Sequence, residues 1–169
     1  MDKIYLILAT LIFLGGFVLA LIALTTGKYG TGKLNVGLAV AGLFFQCLFL
    51  KERGDLHLRC PITNGAEVFV FISWSIVILY LAVGRAFRLS LLGVFSMPLV
   101  FVFQSIAIIS LLINDPGARP PETLDPWLEM HAAMSLLAYG AFGLAGIAGV
   151  MDLILDRQLK SHNPCLLYT

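Results

Sequence analysis

The side chains in this 169-residue chain best placed to do chemistry lie around one histidine. His131 belongs to the run Trp127-Leu128-Glu129-Met130-His131-Ala132-Ala133-Met134-Ser135-Leu136-Leu137-Ala138-Tyr139-Gly140, directly after Leu124-Asp125-Pro126. An ionisable group at the end of an apolar helix is costly unless it has a partner. Neutral imidazole is a common metal ligand and an axial ligand of haem iron. One reading of His131 is therefore a hypothetical haem ligand; the other is an interfacial histidine bonded to a neighbouring helix or to lipid headgroups. His131, Ser135, Ala138 and Phe142 follow the spacing of one helix face. Gly140, Gly143, Gly146 and Gly149 recur every third residue, and Ala141, Ala145 and Gly149 add a small-xxx-small series. Small residues let a helix or a flat ligand approach the backbone closely. Ser135, Gly140 and Gly143 are thus a candidate haem-approach face, with plain helix packing as the alternative. His57, expected in a loop, is a weaker second candidate ligand.

Other chemistries fare poorly. Cys47, Cys60 and Cys165 form neither a C-x-x-C pair nor a zinc pattern. The segment Gly27-Lys28-Tyr29-Gly30-Thr31-Gly32-Lys33 fails the phosphate-loop pattern because Leu34 follows Lys33, and it reads as a basic hinge. A net charge of +1 gives no reason to expect nucleic acid. Asn64 and Glu67 have the spacing of a helix cap, which accounts for Glu67 without catalysis. The predicted spans hold no buried Asp, Glu, Lys or Arg, which speaks against an ion-coupled transporter. No catalytic constellation is visible, so the chain is not expected to be an enzyme.

The elements that must position these residues are membrane helices. The chain is 59% hydrophobic and 12% charged, outside the range of ordinary soluble domains. Segments 4–27, 34–50, 68–84, 89–114 and 130–151 carry no Asp, Glu, Lys or Arg. Each comes close to or exceeds the roughly 17–25 apolar residues of a spanning helix. The expected fold is all-α: one polytopic transmembrane bundle over residues 1–169, incomplete at its C-terminus, with helices at about 4–26, 34–50, 66–84, 90–113 and 127–151. Met97-Pro98 should kink the fourth helix, and Asp125 with Pro126 should start the fifth. Lys28, Lys33, Arg85, Arg88, Arg157 and Lys160 fall on one side; Lys3, Lys51, Arg53, Arg59 and Arg119 fall on the other. The tight Arg85–Arg88 turn leans towards the first side as cytoplasmic. The N-terminus, the His57–Cys60 loop and His131 are then outside and the C-terminus inside, in a bacterial-type inner (plasma) membrane. Gln46, Ser73 and Gln104 all fall in the outer half.

Two motifs carry a family resemblance. Cys60-Pro61-Ile62-Thr63-Asn64-Gly65-Ala66-Glu67-Val68-Phe69-Val70-Phe71-Ile72-Ser73-Trp74 resembles the P-[LI]-[ST]-N-x-x-E-x-x-x-F-x-[SA]-W signature of the CcsA/HemX-type cytochrome c assembly proteins. The run from His131 to Gly146 is similar to their H-x-x-[ML]-[SL]-L-L-[SA]-Y helix. The resemblance implies a membrane protein that presents haem at the outer face for attachment to apocytochrome c, with His131 as an external ligand. Implied partners are the lipid bilayer, other cytochrome c assembly proteins and apocytochrome c. The tryptophan-rich WWD segment of the family, its second external histidine and the transmembrane histidines of larger members are not found in this sequence. Two alternatives follow: a HemX-like regulator of haem biosynthesis, or a structural subunit docked through the glycine-rich fifth helix.

Overall fold

The computed structural model describes residues 2–26, 32–87, 90–113 and 125–160, and all five long elements are α-helices. They are α1 (Asp2–Thr26), α2 (Gly32–His57), α3 (Gly65–Phe87), α4 (Ser90–Ile113) and α5 (Pro126–Lys160). All five are long and apolar enough to cross a membrane. In lipid the backbone must satisfy its own hydrogen bonds, so helices are the available form for such sequences. Hydroxyls within the spans bond locally for the same reason: Thr10 Oγ1 donates to the Leu6 carbonyl at 2.7 Å and Ser96 Oγ to that of Leu92 at 2.7 Å. Of the basic hinge expected at 27–33, Gly32 and Lys33 instead open α2, while residues 27–31, Arg88, Arg119, Cys165 and the tail lie outside the described residues.

Two helices differ from the sequence expectation. The second was expected to stop near Leu50, but α2 continues to His57, so Lys51–Asp55 is helix and not loop. At 1.5 Å per residue its 26 residues measure about 39 Å, longer than the hydrocarbon core of about 30 Å. Its end is set by Leu58, whose φ of 52° is left-handed, with the Arg59 N–H donating back to the Gly54 carbonyl at 3.3 Å. That is the reversal usually built with glycine. The fifth helix was expected to stop near residue 151 but runs to Lys160, where Lys160 Nζ and Asp156 Oδ2 pair at 2.8 Å along one face. Pro98 lies inside α4 as expected and removes the bond to the Val94 carbonyl.

α4 touches every other helix and forms the centre of the bundle. α1 packs on α2 and α4, α3 packs on α2, α4 and α5, and α5 lies at the periphery against α3 and α4. The larger apolar cluster joins Ala9, Phe13, Ala39, Ile76, Val77, Tyr80, Leu92, Met97, Val100 and Leu144. A second cluster contains Leu6, Phe49, Leu50, Ala66, Val70, Ala107 and Leu111. Gly42 lets the tip of the Phe13 ring approach α2 closely, because a Cβ there would collide with its Cζ and Cε atoms. Large apolar side chains such as Leu11, Val18, Phe44 and Phe142 stand on the outside. Lipid, not water, is the solvent that accepts them.

Candidate functional site

α5 begins as its sequence dictates. Asp125 Oδ1 accepts the Trp127 N–H at 3.0 Å, and Pro126 takes the first helical position, where its missing N–H costs nothing. Glu129, one turn in, accepts the Cys60 N–H at 3.4 Å and ties this end of α5 to the α2–α3 loop. His131 therefore stands at the same end of the bundle as His57, with its side chain exposed. Its neighbours one turn away, Trp127, Leu128 and Met134, are also exposed. The imidazole is thus offered outward from an apolar, partly aromatic helix face.

Ser135 shares that helix face, and the other candidates do not. Ser135 Oγ donates to the carbonyl of His131 itself at 2.8 Å, so its hydroxyl is engaged within the helix. Gly140 lies half a helix turn round from His131 and packs into α3; a Cβ there would sit 2.6 Å from the Ser75 Cβ. Gly143 faces Leu99 and Ile76, whose side-chain atoms would lie 3.4 and 3.5 Å from such a Cβ. These two glycines serve helix contact, and they are not a ligand-approach face shared with His131. His57 is buried within the bundle, its Nε2 3.4 Å from Glu67 Oε1, and cannot reach a ligand held outside α5. Among the described residues there is no group of three or more His, Cys, Asp or Glu side chains arranged to hold a metal ion.

An exposed imidazole on an apolar helix face fits the chemistry of haem, an iron that takes imidazole set in a largely apolar ring. Of the candidate ligands, His131 is the one that would hold such a group, since His57 is buried away from that face.

Charged residues that the sequence places in a loop and a cap form a buried cluster at the same end. Glu67 is fully buried. Its Oε2 accepts the Thr63 N–H at 2.7 Å and the Thr63 hydroxyl at 2.8 Å, and its Oε1 accepts Asn64 Nδ2 at 3.0 Å. The Glu67 N–H donates to Asn64 Oδ1 at 2.9 Å, which is the expected cap. Arg53, 1% exposed, reaches Asp2 Oδ2 at 3.0 Å and Glu67 Oε1 at 4.0 Å, with its guanidinium 5.8 Å from the Phe49 ring centre. The expectation of spans without charge is corrected here, because α2 carries Arg53 inside the fold. The missed signal was spacing: Gln46, Arg53 and His57 fall seven and four residues apart, on one face of a continued helix.

Cys60 is half-buried in the tied loop. Burial pushes its thiol pKa above the ordinary value, and the nearby Glu129 and Glu67 carboxylates add to the shift. Deeper in the bundle, Gln46 Nε2 donates to Ser73 Oγ at 2.7 Å and to Gln104 Oε1 at 3.0 Å. The three residues expected in one half of the membrane thus meet.

Residues 62–167, more than half of the chain, match a family described as cytochrome C assembly protein. Curated relatives named cytochrome c biogenesis protein CcsA align over most of the chain. That of Gloeobacter violaceus is 28% identical over 137 residues, 79% of this chain and 38% of its own length. That of Trichormus variabilis is 27% identical over 125 residues, 73% of this chain and 35% of its own. The Marchantia polymorpha protein is 24% identical over 137 residues, 80% of this chain and 42% of its own. The chain thus spans 35–42% of the length of these relatives. No solved structure matches it.

Proposed function

The chain belongs to the cytochrome c assembly protein family, and from that premise we propose that it holds haem at the outer membrane face, through His131, for attachment to apocytochrome c. The observation that carries this reading is the exposed imidazole of His131 on an apolar helix face, anchored by a capped and tied first turn. Bound haem would supply the iron for that imidazole and the vinyl groups to which cysteine thiols of an apocytochrome add. The role of this chain is to bind and orient: His131 ligates, and Trp127, Leu128 and Met134 keep that face apolar. It performs no catalytic step of its own. Its partners are other assembly proteins and apocytochrome c, and its setting is a bacterial-type inner (plasma) membrane with the N-terminus outside and the C-terminus in the cytoplasm.

The test is the haem Soret band of the purified protein. His131→Ala should abolish or shift it, while His57→Gln should leave its position unchanged. A band indifferent to His131→Ala, or no haem in the natural full-length protein, would overturn the proposal. Deleting the gene should deplete c-type cytochromes. Normal c-type cytochromes with altered amounts of a haem-biosynthetic enzyme would favour the regulatory reading instead.

A further inference from the structure

The cluster of Gln46, Ser73 and Gln104 has no part in holding a ligand on the outside of α5, yet it places three polar side chains deep in the membrane. All three are fully buried. Ser73 lies eight residues into α3 and Gln104 nine from the end of α4, so both helices put the cluster about 12–14 Å below the outer end, at 1.5 Å per residue. That is close to the middle of a hydrocarbon core about 30 Å thick.

The donors and acceptors of the cluster do not all pair. Both N–H groups of Gln46 Nε2 are used, one on Ser73 Oγ and one on Gln104 Oε1. The Ser73 oxygen lies 2.8 Å from the Val70 carbonyl and 3.0 Å from Gln104 Oε1, and its single proton goes to one of them. Gln46 Oε1 and Gln104 Nε2 are then left without partners. Exchanging N and O in both amides does not help. Gln46 Oε1 would then accept from Gln104 Nε2 and Ser73, and the Gln46 amino group and the Gln104 carbonyl would be open instead. With either assignment one amide carbonyl and one amide NH2 remain. A polar group left unsatisfied in lipid is costly, because no solvent there can pair with it. What complements both is a small neutral molecule that donates and accepts.

We propose that the Gln46–Ser73–Gln104 cluster is a water-binding site inside the membrane-spanning bundle, at the junction of α2, α3 and α4. The same chemistry could be met by another small hydroxyl compound, but water is the one present wherever the protein is made. The site is closed towards the outer end. Leu6, Phe49, Val70 and Ala107, all fully buried, form an apolar layer between it and the Asp2–Arg53–Glu67–His57 cluster. Its water is therefore resident, not the tip of an aqueous funnel.

Water-edited solid-state NMR on the full chain in phosphatidylcholine–phosphatidylglycerol vesicles tests this without any variant. Polarisation from water should reach the side-chain amides of Gln46 and Gln104 several-fold faster than it reaches the methyl groups of Val70 and Ala107. Amides as slow as those methyls mean a dry cluster and overturn the proposal. Equally fast transfer to Val70 and Ala107 means an open funnel, which overturns it as well. As a second arm, Gln104→Leu should slow the transfer to Gln46 several-fold. An unchanged rate at Gln46 would count against the shared site. Neither arm depends on haem, so failure here leaves the role of His131 standing, and the reverse.

Discussion

At the scale of single residues, burial changes what each polar group does. Cys60 is the accessible test case. Burial first, then Glu129 and Glu67, hold its thiol protonated to higher pH than a free thiol. Since only the thiolate reacts, the alkylation rate against pH should rise later than that of a model thiol. Glu129→Gln should move the profile part of the way back. A profile like that of a free thiol would contradict the observed packing. Arg53 is the second case. It lies between Asp2 and Glu67, and removing one partner from a buried charge cluster costs about 3–5 kcal/mol. Arg53→Met should lower the stability of the bundle by that order, measured by reversible unfolding in mixed micelles. The sequence gives little hint of this cluster. Lys51, Glu52, Arg53 and Asp55 in succession look like a solvated loop, and only the packing of α2 against α1 and α3 shows which of them turns inward.

At the scale of helices, composition was sufficient for number and type and insufficient for ends. Five apolar runs predicted five helices, and α3 and α4 end within a few residues of expectation. α2 and α5 run longer because a helix does not stop where hydrophobicity stops. It stops where the backbone is turned, as Leu58 turns it. The glycine repeat in α5 was legible as a contact surface, but its direction was not. Gly140 faces α3 closely, whereas a Cβ on Gly146 would meet nothing within 4 Å. Gly140→Leu should therefore destabilise the α3–α5 pair by about 1–3 kcal/mol, the usual cost of overpacking. Gly146→Leu should be nearly neutral in the same unfolding assay. Equal effects would mean that α5 is rotated from the orientation described. That rotation also decides the candidate site, since the face that packs and the face that bears His131 are opposite ones.

At the scale of the whole molecule, α5 is set apart by length and position. Its apolar stretch, Pro126–Ile154, is 29 residues, or about 44 Å of helix, against a hydrocarbon core of about 30 Å. It is also the least enclosed of the five, touching only α3 and α4. A long, lightly held helix must lean or protrude, at a cost of fractions of a kcal/mol per Å of mismatch. Oriented-sample NMR should show α5 tilting more in bilayers with short acyl chains than in those with long ones, while α4, packed against all four other helices, changes less. A tilt independent of acyl length would show α5 to be locked to its neighbours. Bilayer thickness then becomes a control variable: it sets the height, relative to the lipid surface, at which the imidazole of His131 is held.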